Sequence, residues 1–407
     1  MRPPSRRGVL AGGLGLAAAA LVRSGAARAG SSRNLLVWWN SGGWDTTFAL
    51  DPHFGGSIAN DPDAEPATTG DITWADAASR PAVRRFFDAY GARSIVINGI
   101  AVDSISHDAC TRLMLTGALS ERGTDLCAIV ASETGSGLAV PHAVLSGPRF
   151  PGARGGIVSD VNATFSGILR DTLPADLAAD PTQEAAIAAW LADEGDRLLA
   201  ARERPQLRGW RDGLDRLGVL RAEAGALPTD DADPAQSQID LAVTLLQKGL
   251  SRAVTIRAPR ASGASWDSHA DNNLFQDQAW EYSFANLLKL LDALAATPGV
   301  DGSLLDETVV LVGSEMSRSP VLNAAAGKDH WPYTSAVLLG GGIAGGRALG
   351  ATNDQFVGMP IDLATGAPSA TGERLTSARL VAGLLAGFDL DPEAWLPGAR
   401  PLTALFG

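Results

Sequence analysis

Only five histidines occur in the chain, and four of them stand beside a carboxylate: His53 near Asp51, His107 next to Asp108, His269 near Asp267, and His330 next to Asp329. His142 is the exception. Imidazole and carboxylate together form the ligand set that zinc, manganese and iron accept. A carboxylate beside an imidazole can also fix the ring's tautomer instead of sharing its metal. One such pair is at home in any polar turn, but several at the ends of apolar runs point to a cation site. The two cysteines, Cys110 and Cys127, lack the C-x-x-C spacing of a thiolate zinc site. They fit either one disulfide or two buried thiols.

Groups of this kind act only if a scaffold brings them together. The runs NLLVWW (34–39), RSIVIN (93–98), SRAVTIR (251–257) and TVVLV (308–312) each lead into a loop carrying acids, His or Gly, and SAVLLGGG (335–342) directly follows KDHWPYT. Continuous apolar runs of this length read as strands buried on both faces of a sheet. Helical spacing of apolar residues marks 78–91, 181–204, 237–250, 276–297 and 378–387. Alternation of the two predicts an α/β fold, a three-layer sandwich with a mostly parallel central sheet. In such sheets ligands bind beyond the carboxyl ends of the strands, where these loops fall. Residues 160–235, rich in Ala, Leu, Arg and acids and closing on LPTDDADPAQ, read as a helical insertion in a single domain spanning 30–407.

Residues 1–29 have a different character. They carry five arginines and no acid, an apolar stretch from Val9 to Val22, and a small-residue end at Ala27-Arg28-Ala29. This pattern is that of a signal peptide, and the Arg6-Arg7 pair ahead of a weakly apolar stretch is similar to a twin-arginine signal. Export to the periplasm or the medium is therefore expected. No apolar run is long enough for a stable membrane anchor. With the leader set aside, 45 acids face 28 lysines and arginines, a net charge of −17. So acidic a body repels phosphate backbones, and nucleic acid is not an expected partner. A composition of 45% hydrophobic and 19% charged residues excludes disordered and fibrous classes.

Three segments in order, LLVWWNSGGWDTTFALDP (35–52), WDSHADNN (266–273) and TVVLVGSEMSRSPVLNAAAGKDHWPYTSAVLLGGGIAGGRALGATND (308–354), resemble the domain-of-unknown-function family 1501. That group is related to the alkaline phosphatase and sulfatase superfamily. The resemblance implies an alkaline-phosphatase-like fold and one or two divalent metals at the carboxyl edge of the sheet, with zinc expected first and manganese or calcium as alternatives. It implies Asp45 as the metal-binding Asp of the first strand, with Asp51 competing for that role. Asp267 and His269 would match the Asp/His pair of a middle strand, although alkaline phosphatases space that pair more widely. Glu315-Met316 stands where an adjacent Asp-His is usual, keeping the carboxylate and losing the imidazole. His330 of KDHWP matches the last His.

Superfamily phosphatases and sulfatases place their nucleophile at the start of the helix after the second strand, here VDSISHDACTRLMLTG (102–117). His107 falls where phosphatases have Ser, with Ser104 and Ser106 just upstream. Three readings stay open: a displaced serine nucleophile, a His107 that binds metal or attacks, or a site without this chemistry. Cys110 lacks the C-x-P-S-R pattern of a sulfatase cysteine. Arg318 is placed either to meet an anionic substrate oxygen or to pair with a site carboxylate. The expected function is hydrolysis of a phosphate or sulfate ester, a small anionic substrate; the alternative is a non-catalytic exported scaffold or binding protein.

Overall fold

The structure is a computed structural model that describes residues 33–161, 204–228 and 233–406, together with 182, 185, 186 and 189. The leader, most of the helix expected over 181–204 and most of the 160–235 insertion lie outside the described residues.

In chain order the elements are β1 (Asn34–Trp39), β2 (Glu65–Thr69), β3 (Ile72–Asp76), α1 (Pro81–Tyr90), β4 (Ser94–Ala101), α2 (His107–Thr116), α3 (Leu126–Thr134), β5 (His142–Val144) and β6 (Val158–Asp160). They continue with α4 (Arg204–Glu223), α5 (Pro234–Gln247), β7 (Ala253–Arg257), α6 (Asn272–Ala296), β8 (Thr308–Gly313), β9 (Ser317–Arg318), β10 (His330–Trp331), β11 (Tyr333–Leu339), β12 (Arg347–Leu349) and α7 (Ser377–Gly387).

Eight strands form the main sheet in the order β12-β4-β11-β8-β1-β7-β5-β6. β1 lies at its centre, parallel to both neighbours, with Leu35 opposite Ala253 on one side and Val309 on the other. β11 alone runs antiparallel, between β4 and β8. The mostly parallel sheet expected from the apolar runs is present.

Alternation along each strand builds two cores. Leu36 and Trp38 of β1, Val254 of β7 and Val310 and Val312 of β8 face a layer containing α1, α5 and α6. Leu35, Val37 and Trp39, with Ile95, Ile97, Val309 and Leu311, face α2, α3 and α7. Because both faces are covered, every residue of β1, β4 and β8 is buried, which explains why these strands read as unbroken apolar runs. α6 presents Trp280, Phe284, Leu287, Leu291 and Leu294 at alternating steps of four and three, a single apolar stripe. α1 starts at Pro81, whose missing N–H costs nothing in a first turn. α5 starts behind Asp233, whose side chain accepts from the Ala235 and Gln236 amides.

Differences from the sequence reading are local. β4 continues through Gly99 to Ala101, beyond the run ending at Asn98. β5, β6 and β12 are three residues each, too short to give a periodic signal. Cys110 and Cys127 are both free and buried, which selects the thiol alternative. Burial raises the Cys110 thiol to about 11 and the Cys127 thiol well above its ordinary value, so neither is a ready thiolate. Among the described residues no helix is long and apolar enough to cross a membrane.

Candidate metal centre

One edge of the sheet collects the polar residues. β1, β4, β7 and β8 all end there, and β11, being antiparallel, begins there. The chain leaves β4 through Asp103, held at a φ of 51°, and enters α2 at His107. Beyond β7 come Asp267 and His269, and just past β8 lies Glu315. A short ladder then brings the last histidine across, since β9 and β10 pair antiparallel with His330 opposite Arg318. Gly327 permits the close passage of this segment against the 268–270 loop, because a Cβ there would lie 2.0 Å from the His269 carbonyl carbon.

Three imidazoles turn the same nitrogen toward one oxygen. The Nε2 atoms of His269, His330 and His107 lie 3.2, 3.4 and 3.6 Å from Asp267 Oδ1. Each Nδ1 is held by an oxygen on the far side of its ring. His107 Nδ1 donates to Glu315 Oε1 at 2.8 Å, His269 Nδ1 to Asp329 Oδ1 at 3.2 Å, and His330 Nδ1 to the Ile105 carbonyl at 2.7 Å. An Nδ1–H on each ring leaves each neutral Nε2 with a bare lone pair. His269 Nε2 and His330 Nε2 then face each other at 3.0 Å, an arrangement that repels unless a cation or proton stands between them. His107 Nε2 is buried and, among the described residues, has no hydrogen-bond partner. One ligand atom each from His107, Asp267 and His330 lie within 4.8 Å of one another.

Neighbouring residues fix these groups. Glu315 is 2% exposed and accepts the Gly42 amide at 2.7 Å and the Ser314 hydroxyl at 3.1 Å, besides His107. Its hydrogen bond raises the His107 pKa, against the opposing effect of burial. Arg318 is fully buried. It donates through Nη2 to Asp267 Oδ1 at 2.7 Å and to the Gly42 carbonyl, through Nε to the Gly43 carbonyl at 2.8 Å, and through Nη1 to the Lys328 carbonyl at 3.3 Å. Burial pushes the Asp267 carboxyl up, but Arg318, with His107 and His330, holds it below its ordinary value. Arg318 is thus placed to orient Asp267, the second of the roles expected for it.

Asp45 does not join this group. It is fully buried, pairs with Lys328 Nζ at 2.7 Å, accepts from Asn272 Nδ2 at 2.9 Å and from Thr47 Oγ1 at 2.7 Å, and caps a short 3-10 turn. A lysine counter-charge occupies the position that the resemblance assigned to metal. Asp51 is engaged elsewhere as well, accepting from Thr352 Oγ1 at 2.7 Å beside His53. Ser104 Oγ accepts the Ser106 amide at 3.2 Å, and Ser106 precedes α2 without a side-chain cap bond. Among the described residues neither serine hydrogen-bonds to the cluster. Trp44, Trp266 and Trp280 pack on one another, with Trp44 stacked on Trp280 at 4.9 Å. The supporting acceptors Asp329 and the Ile105 carbonyl were not singled out from the sequence as parts of the site; Asp329 was visible as a neighbour of His330, whereas a backbone carbonyl leaves no sequence signal.

A cleft of about 820 Å³ opens beside the cluster. His107, Asp267 and Glu315 line it, together with Arg112, Arg149, Arg257 and Arg260.

Residues 218–394 match the model of a family described as "Protein of unknown function (DUF1501)", the family that the sequence resembles. That stretch carries Asp267, His269, Glu315, Arg318 and His330; β1 and His107 lie before it. A comparison with curated proteins gives no match. Among solved structures, the chain is similar to a putative sulfatase from Bacteroides thetaiotaomicron, at 10% identity over 92% of this chain and 75% of that one with a TM-score of 0.38. It is similar also to the PsFucS1 sulfatase from Pseudoalteromonas sp., at 11% identity, 83% and 68% coverage and a TM-score of 0.33. A third is the phosphonate monoester hydrolase of Agrobacterium radiobacter, at 13% identity, 91% and 78% coverage and a TM-score of 0.33.

Proposed function

We propose that the protein is an exported, metal-dependent hydrolase of phosphate or sulfate esters, with an alkaline-phosphatase-like arrangement of site and sheet. The observation that carries this reading is the convergence of three Nε2 lone pairs on Asp267 Oδ1, each imidazole fixed through its Nδ1. Three imidazoles and one carboxylate are a zinc donor set. Ligands about 2.0–2.1 Å from a tetrahedral zinc stand roughly 3.3 Å apart, and the Nε2 to Oδ1 separations of 3.2, 3.4 and 3.6 Å match that edge.

In this reading His107, Asp267 and His330, whose ligand atoms lie within 4.8 Å of one another, hold the ion with His269 beside them, and the ion would supply Lewis acidity toward an ester oxygen. Glu315 keeps the proton of His107 on Nδ1, Asp329 and the Ile105 carbonyl do the same for the other two rings, and Arg318 keeps Asp267 ionised and aimed. Among the described residues no Ser or Thr hydroxyl and no thiol hydrogen-bonds to the side chains of these four residues, Ser265 Oγ meeting only the Asp267 backbone, and the attacking group in this reading is water from the cleft. Turnover of aryl phosphates or aryl sulfates by the purified protein, reduced at least about a hundredfold in His330→Ala, is the expected result. The same lack of a side-chain nucleophile favours a second reading, an exported metal-binding scaffold. Metal bound without turnover of either ester class would select it.

A further inference from the structure

We propose that Arg257 and Arg260 form a subsite for a second anionic group of the substrate, so that the molecule acted on carries at least two acidic groups, one at the histidine cluster and one at this pair. The inference rests on the hydrolase reading for what happens at the cluster, and extends it to the class of substrate. The body of the protein has a large excess of acid, yet four arginines line one cleft that also contains His107, Asp267 and Glu315.

Two of the four are already engaged. Arg149 pairs with Asp160 at 2.6 Å, and Arg112 lies over the Phe150 ring at 4.4 Å. Arg257 and Arg260 are exposed and, among the described residues, neither side chain has an ion-pair or hydrogen-bond partner. Asp108 and Glu121 also line the cleft, and neither is paired with them. Their placement is built into the fold. Arg257 is the last residue of β7, opposite Trp39 of β1, and its amide is anchored by Ser146 Oγ at 2.9 Å. It therefore sits at the same sheet edge as the cluster. Two unpaired guanidinium forks suit the planar or tetrahedral oxygens of carboxylate, sulfate or phosphate, and a cleft with low-dielectric walls strengthens their field.

The test is calorimetric binding of naphthalene monosulfonate and of naphthalene 1,3-, 1,5- and 2,6-disulfonates to the full chain and to the Arg257→Gln, Arg260→Gln double variant, whose fold is checked by near-ultraviolet circular dichroism. At least one disulfonate is expected to bind the unaltered protein roughly tenfold or more tighter than the monosulfonate, and the double variant to lose that gain while binding the monosulfonate as before. A disulfonate series with no gain over the monosulfonate, or a gain that survives in the double variant, overturns the subsite. These probes contain no hydrolysable ester. Failure of the hydrolase reading would instead appear as absent ester turnover with disulfonate discrimination intact.

Discussion

Glu315 decides what His107 can do. Its buried carboxylate accepts a hydrogen bond from the Nδ1–H, and the imidazole's other nitrogen is left bare and facing Asp267. Removing an acceptor that orients a metal-binding imidazole costs about 10–100-fold in metal affinity. Glu315→Ala should therefore weaken zinc binding by that factor in a calorimetric titration, with Glu315→Gln falling between; unchanged affinity would separate Glu315 from the site. Asp45 makes the opposite case. Its charge is met by Lys328 inside the core, and removing one partner of a buried ion pair costs about 3–5 kcal/mol. Asp45→Ala should lower unfolding stability by an amount of that order in urea denaturation while leaving zinc affinity as it was. Of the residues singled out from the sequence, His107, Asp267, His269, Glu315 and His330 lie together in the structure and Asp45 lies apart. The resemblance supplies Asp45 a position after the first strand but not the distant Lys328 that neutralises it.

The elements meet at the two glycines after β1. Gly42 and Gly43 adopt φ of +126° and +77°, and their carbonyls accept from Arg318. A Cβ on Gly43 would stand 2.9 Å from Met316 Cγ and 3.1 Å from Arg318 Nη2. Gly43→Ala should then cost on the order of 1–3 kcal/mol, from left-handed backbone together with crowding of buried neighbours. Thermal unfolding would measure it, and a melting temperature equal to that of the unaltered protein would refute the account of this turn. Strands β1, β4, β7, β8 and β11 were legible because burial on both faces writes an unbroken apolar run, and α6 because its stripe repeats over many turns. What was not legible is pairing: that β11 runs against the other strands, and so delivers His330 to the shared edge, depends on contacts far apart in sequence. The β9–β10 ladder of two residues per strand gave no signal for the same reason.

For the whole molecule, buried ionisable groups set the response to pH. His142 is enclosed in β5, and burial lowers its pKa to about 3. A histidine that stays neutral when folded but protonates near 6.5 when unfolded contributes nothing above that pH and destabilises as pH falls from 6.5 toward 3. The loss is about 1.4 kcal/mol per pH unit, roughly 2 kcal/mol by pH 5. Asp125, raised to about 6 by burial, works the other way between about 6 and 3.8. The comparison is therefore with His142→Gln, which should be less sensitive to the change from pH 7 to pH 5 by roughly that 2 kcal/mol in urea denaturation. Equal sensitivity would mean that His142 is protonated in the folded chain.

The acid excess of the body has a local counterpart at the sheet edge, where carboxylates and imidazoles converge with lone pairs turned inward. A cation bound there, as proposed, would offset part of that charge. The most direct measurement is a calorimetric titration of zinc into chelator-treated full-length protein, run beside Asp267→Ala. Saturable binding of about one ion per chain, lost in the variant, is the result predicted from the donor set. No binding, or binding that Asp267→Ala leaves intact, would contradict the assignment of this cluster as a metal centre.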